Sequence, residues 1–489
     1  MKRLFIVLLL ALVILAPTAA AKTTVQEVQY AMNINLHDAY VNTSIVVNCD
    51  IYCSGIQWQL PDNSNVLFVN DSGGKADYSV KGDMLSISGH SAAGMDSETY
   101  RIGTHIDSNP EEVEKGLYKW RISIPSFSDV KTTGFIHADN LISGWIGFGF
   151  DYSFNGDEMK FKGTGPTTVR VNFGKGEQKE YYTVFGNTME DLKQPYEIPV
   201  GTLGVVQDFR RFPVAVMDSG KYDRTVNKWS AGEYIAGSIR VRDNLDEDFV
   251  PILAHETVHG LNDRRLRWDG TNSAYFDEGT ATYFEYLMKN KLYSDREIDV
   301  GPAALFGKDR TYKVKKGHQL YTYTVPSRGD RDELWNYYQD NRDFMKKWNA
   351  YDYPQVRDFG YAYSQLIIRN YVANRNGSLR EVYRDMDFDH KITDPDVKWR
   401  FFSNHMDMTP CDYSSRDRFD ACLDRINSYD YPVYSAAPNS AQRELDIKKV
   451  EIPNRTRTDY GSSFNTRSIV DSINGFIDWL VSFFNSLGR

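Results

Sequence analysis

Two histidines and two glutamates stand where a metal ion could be gripped and a water molecule activated. The chain reads His255-Glu256-Thr257-Val258-His259, and eighteen residues separate His259 from Glu278. Imidazoles at positions i and i+4 lie one above the other on a helix face, so both reach a single ion. Zinc accepts histidine and carboxylate ligands, and its catalytic sites leave a fourth position to water. Glu256, beside the first histidine, is placed to take a proton from that water as it attacks a carbonyl. His255, His259 and Glu278 are therefore the candidate ligands of one Zn2+, and Glu256 the candidate base.

These side chains need two helices to carry them. Residues 272–289 contain no proline, and Asn272 or Ser273 suits an N-cap. On that helix Glu278, Ala281, Thr282 and Glu285 share a face, with Phe276, Tyr283 and Leu287 on another. Gly279 leaves room for a second helix or a metal to come close. Glu285, two turns beyond Glu278, is spaced to hydrogen-bond the outer nitrogen of a ligand histidine. A lone acid on a helix is ordinarily solvated; the histidine pair at this spacing reverses that reading. For the histidine helix, the acidic run Asp243 to Asp248 suits an N-terminus and Pro251 fits its first turn. Upstream, Glu233 to Arg242 is rich in β-branched residues and predicts a strand. Such a strand either offers a free edge to an extended peptide or is an edge blunted by Arg240 and Arg242.

The string His-Glu-x-x-His, eighteen residues, then Glu-Gly-x-Ala-x-Tyr-x-Glu resembles the gluzincin zinc peptidases, specifically the alanyl-aminopeptidase-like and peptidase-MA-like group. The likeness spans about residues 230–385 and is sharpest from Leu253 to Glu285. It implies a thermolysin-like catalytic domain, zinc on His255, His259 and Glu278, and Glu256 as general base. Aminopeptidases of this group carry a Gly-x-Met-Glu-Asn segment whose glutamate captures the substrate amine. Here Ala231-Gly232-Glu233-Tyr234 stands in its place, which makes Glu233 the substrate-binding candidate and leaves endopeptidase and aminopeptidase specificity both open. Tyr361-Ala-Tyr363-Ser resembles the start of the helix that supplies an oxyanion-stabilising tyrosine. Tyr361 is the candidate among 32 tyrosines, with Tyr363 second; His318, His390 and His405 are further donors downstream.

The rest of the chain sets the context. Residues 1–21 have a Lys-Arg start, an apolar stretch and small residues, as in a secretory signal peptide. Cys49, Cys53, Cys411 and Cys422 allow three pairings, of which the two local ones are favoured. Asn42, Asn70, Asn376 and Asn454 head N-glycosylation sequons, in keeping with export. A net charge of −9 gives no basic footprint for nucleic acid. The 41% hydrophobic content of the 489 residues suits a multidomain globular protein. The expected class is α+β: an antiparallel β-sandwich or saddle over 22–165, a zinc peptidase domain with sheet and helical lobes over 166–428, a linker over 429–467 and an amphipathic helix over 468–489. The apolar face of that last helix could lie on a membrane surface or dock on protein. Together these point to a secreted or surface-held zinc metallopeptidase acting on peptide or protein. The rival class is a catalytically inactive surface binding protein, which would be expected to have lost a ligand or the base; all four residues are present. Oligomeric state is not legible in these patterns.

Overall fold

The computed structural model describes residues 23–428, apart from several short stretches of which the longest are 90–96, 188–191, 267–272, 294–309, 326–330, 387–393 and 410–413. The expected signal peptide, linker and amphipathic C-terminal helix, with Asn272, His318, Asn376, His390, Cys411 and Asn454, lie outside the described residues. Five sheets and ten α-helices among the described residues give a mixed α and β architecture. Among the described residues no helix is long and apolar enough to cross a membrane.

The N-terminal strands alternate as their sequence demands. Val28, Tyr30, Met32 and Ile34 of the strand Thr23–Ile34 are buried, and their neighbours face outward. An eight-stranded sheet and a four-stranded sheet enclose this core, with a three-stranded sheet beside them. Two expectations need correction. The large sheet is mixed, because Thr23–Ile34 pairs in parallel with Lys131–Ala138. The boundary at 165 also cuts the fold: Thr167–Gly174 pairs with Leu117–Ile124 and with Leu141–Ile146, so it belongs to the N-terminal four-stranded sheet. Sequence patterning cannot see this, because the strand alternates equally well in either sheet. Asn42 and Asn70 lie half-buried in the strands Ala39–Cys49 and Ser64–Asp71. Cys49 and Cys53 form a disulfide, and Cys422 is buried and disulfide-bonded.

The sheet under the site has five strands, in the order Glu177–Gln178, Tyr182–Phe185, Phe212–Met217, Ser238–Arg242, Gly232–Ile235. The single strand expected over 233–242 is in fact a hairpin. Ala236 and Gly237 turn the chain at φ 49° and 84°, backbone angles typical of the tight two-residue hairpin turn. Gly232–Ile235 is the outer strand, while Ser238–Arg242 is interior, pairing with Phe212–Met217 on its other side. Arg240 and Arg242 therefore do not blunt an edge; Arg240 is buried.

The histidine helix, Phe249–Leu266, packs on the Gly232–Ile235 and Ser238–Arg242 strands of this sheet, and the acid helix, Ala274–Tyr293, packs against the histidine helix. Pro251 sits in the first turn of the histidine helix, as expected. Asp243 instead serves a different element, accepting bonds from the Ser219 amide and hydroxyl at the start of the helix Ser219–Thr225. The acid helix begins directly after Ser273, whose carbonyl accepts the Phe276 and Asp277 amides. A third helix, Pro354–Arg369, packs on the acid helix and ends in a wider π turn over Asn370–Asn374. Between the acid helix and this one lie two shorter helices, Arg331–Asp340 and Phe344–Lys347, and a hairpin of Arg310–Lys316 with Gln319–Val325. One continuous apolar core joins the five-stranded sheet to these helices.

Candidate metal centre

The histidine helix presents His255 and His259 toward the acid helix, and Glu278 meets them there. His255 Nε2 and His259 Nε2 are 3.0 Å apart, and Glu278 Oε2 lies 3.4 Å from the first and 3.3 Å from the second. Tetrahedral zinc with ligand bonds near 2.0–2.1 Å requires its donors to be about 3.3 Å apart. The two contacts to Glu278 meet that requirement, and the histidine pair needs to part by only a few tenths of an ångström. Glu278 Oε2 is also buried between the two imidazole nitrogens, a costly position for a carboxylate oxygen unless positive charge meets it. The residues fit a divalent ion.

The far side of each imidazole is held by a carboxylate. His255 Nδ1 lies 3.1 Å from Glu285 Oε2, as the helical spacing predicted. His259 Nδ1 lies 2.9 Å from Asp277 Oδ1, a partner that sequence reasoning missed. Such contacts turn each Nδ1 into the donor and leave Nε2 free for a metal. Asp277 is itself fixed by Asn262 Nδ2 at 2.7 Å, and Tyr383 donates to the Asn262 oxygen. One signal was available: Asn262 follows His259 by three residues and so shares its face. Nothing in the sequence distinguished Asp277 from any other acid beside a ligand. A second missed contact lies behind Glu285, where Lys289 Nζ reaches Oε1 at 2.9 Å.

The electrostatics follow from burial and these partners. Burial lowers the His255 pKa, but hydrogen bonds to Glu278 and Glu285 outweigh it and raise the pKa to about 9. His259 is likewise raised, by Asp277 and Glu278 against burial. For Glu278, burial opposes ionisation, yet the two imidazoles hold its carboxyl far below the usual carboxylate range. Glu256 is 5% exposed, and burial pushes its pKa up to about 7 despite the neighbouring imidazoles. A carboxylate poised there is suited to accepting and returning a proton.

Glu256 lies under the start of the outer strand. A Cβ on Gly232 would come within 2.8 Å of Glu256 Oε1, so only glycine lets strand and carboxylate approach this closely. The neighbouring Glu233 pairs across the hairpin with Arg240, Oε2 to Nη1 at 3.7 Å, and that oxygen has no hydrogen bond. Burial raises the Glu233 pKa, with Arg240 and Lys119 working against it. On the other side stands Tyr361, whose pKa is raised well above normal by burial, by the charges of Glu278 and Glu256, and by a hydrogen bond to Glu278. Tyr361 lies within the helix Pro354–Arg369 rather than at its start. Tyr363 is buried, donating to the Met408 carbonyl and stacking on Phe359, so it is a packing residue. His405 is engaged by the Phe401 carbonyl and Asp385.

No family model matches the sequence, and no curated protein matches it. Among solved structures, an M1 zinc metallopeptidase from Deinococcus radiodurans is 10% identical, with 83% of this chain and 93% of that chain covered at a TM-score of 0.35. A mutant of that metallopeptidase bound to a Tyr-Ser-Ala substrate is 11% identical, with 82% and 94% covered and a TM-score of 0.34. Native leukotriene A4 hydrolase from Saccharomyces cerevisiae is 12% identical, with 58% and 53% covered and a TM-score of 0.28. Likenesses this remote carry no argument, and the reading of the site rests on its own geometry.

Proposed function

We propose that this protein is a metal-dependent hydrolase. More particularly, it is a zinc metallopeptidase of the gluzincin type, secreted or held at the cell surface, that hydrolyses peptide bonds. The observation that carries this reading is the triangle of His255 Nε2, His259 Nε2 and Glu278 Oε2, with sides of 3.0–3.4 Å, bordered by Glu256 and Tyr361. Zinc held there would supply a Lewis acid for the scissile carbonyl and make bound water acidic. Glu256 accepts the proton from the attacking water and delivers it to the departing amine. Tyr361 donates its hydroxyl to the carbonyl oxygen as negative charge builds on it. The free edge of Gly232–Ile235 offers backbone groups to an extended peptide lying beside Glu256.

The test is to load the purified protein with zinc, incubate it with a complex peptide pool and read cut sites by mass spectrometry. Cleavage by the wild type, lost in a Glu256→Gln variant that still binds one zinc, is the expected result. A zinc-loaded wild type that binds peptides and cuts none would instead favour the inactive binding protein. Aminopeptidase specificity is a second reading, favoured by the Glu233 oxygen that lacks a hydrogen bond beside Glu256. Equal cleavage of free and N-acetylated peptides would remove it. Loss of activity on free peptides alone in Glu233→Ala would support it.

A further inference from the structure

We infer that Lys289 is a positioning residue of the metal centre, acting through Glu285 to fix the orientation of His255. This deepens the zinc-site reading above and rests on it. Glu285 divides its two oxygens: Oε2 meets His255 Nδ1 at 3.1 Å and Oε1 meets Lys289 Nζ at 2.9 Å. Lys289 in turn lies 3.2 Å from Asp248, the residue directly before the histidine helix. The ammonium thus ties the carboxylate behind His255 to the start of the helix that carries His255. Only 17% of the Lys289 side chain and 13% of the Glu285 side chain are exposed, so water does little of this work.

The physical need is specific. Asp277, Glu278, Glu285 and Glu256 converge around two imidazoles, and one divalent ion cannot balance four carboxylates. Lys289 supplies a further positive charge, on the side of Glu285 away from the metal ligands. Without it, Glu285 loses the contact that holds its Oε1 and is free to swing away from His255. That change loosens the acceptor for the His255 Nδ1 proton, and with it the aim of Nε2 toward a metal. The spacing is readable in the sequence, since Lys289 follows Glu285 by four residues on one helix. Ordinarily such pairs are solvated surface contacts; this one is buried against a ligand.

The experiment measures zinc affinity of the full chain by competition with a chromogenic chelator. It compares wild type, Lys289→Met, Lys289→Arg, Glu285→Gln and the Lys289→Met/Glu285→Gln double variant, with circular dichroism of each metal-free protein as the folding control. Wild type should bind one zinc, and failure there would overturn the metal-site reading itself. With that secured, Lys289→Met should bind about tenfold or more weakly, the scale of changes behind a ligand histidine, and Lys289→Arg should recover most of the loss. In the Glu285→Gln background, adding Lys289→Met should cost little further affinity, because the path runs through Glu285. Equal affinity of Lys289→Met and wild type would overturn the inference, as would losses that simply add in the double variant. If Lys289→Met fails to fold, the comparison of Lys289→Arg with wild type and Glu285→Gln decides, an affinity for Lys289→Arg no better than that of Glu285→Gln counting against it.

Discussion

At the scale of single residues, the candidate metal ligands and the candidate base were legible because local periodicity places them. His255 and His259 are one helical turn apart, and Glu285 is two turns beyond Glu278, so a helix alone brings each pair to one face. Asp277 was not legible, since its contact with His259 depends on how two helices dock. Two predictions belong here. Tyr361→Phe removes one donor aimed at the developing oxyanion, so kcat should fall by about 10²–10³-fold with zinc binding retained. Steady-state kinetics on a cleaved peptide would show it, and an unchanged kcat would remove Tyr361 from the mechanism. The second concerns protons. Without a metal, the carboxylates facing the two imidazoles raise both pKa values, so zinc must compete with protons for the Nε2 atoms. Apparent zinc affinity should therefore rise from pH 6 to pH 8, and binding should release protons. Calorimetry in two buffers of different ionisation enthalpy would count them, and zero release would contradict the assignment of both histidines as ligands.

At the scale of elements, Gly279 shows how a helix contact serves the site. Its position beside Glu278 suggested close approach by a second helix, and the structure identifies that helix as Pro354–Arg369. A Cβ at residue 279 would lie 2.8 Å from the Ser364 carbonyl oxygen and 3.1 Å from Ile368 Cγ1. Two effects then compete in Gly279→Ala. Helix propensity favours alanine by about 1 kcal/mol, whereas overpacking a tight contact costs about 1–3 kcal/mol. The obstructing atom is backbone and cannot rotate away, so the clash should win. Urea unfolding should show a net loss of stability, and kcat should fall because Tyr361 rides on the displaced helix. A gain of about 1 kcal/mol would mean that the contact is slack. Element types were legible from the same periodicities, but several limits were not. The hairpin at Ala236-Gly237 was hidden in a continuous β-forming run, because neither turn residue is an Asn or Asp.

For the whole molecule, what escaped the sequence is long-range pairing, and one such pairing reaches the site. The N-terminal four-stranded sheet grips the turn of the outer hairpin through buried polar bonds. Ser143 Oγ donates to the Gly237 carbonyl at 2.7 Å, and Asn172 Nδ2 donates to the Ala236 carbonyl and to Ser143 Oγ at 3.0 Å each. These partners are 94, 64 and 29 residues apart in sequence, beyond the reach of any local pattern. The N-terminal region is thus more than a cover over a catalytic domain, because it sets the placement of Gly232–Ile235 beside Glu256. Replacing Asn172 by alanine strips a buried carbonyl of its donor, at a cost of about 1–3 kcal/mol. If the outer strand binds the substrate backbone, Asn172→Ala combined with Ser143→Ala should raise KM and lower kcat together, since strand and base shift against each other. Zinc stoichiometry should stay at one, because all three ligands come from the two helices below. Loss of zinc alongside activity would point to general unfolding. Unchanged kinetics at lowered stability would show that this interface holds the molecule together without shaping its cleft.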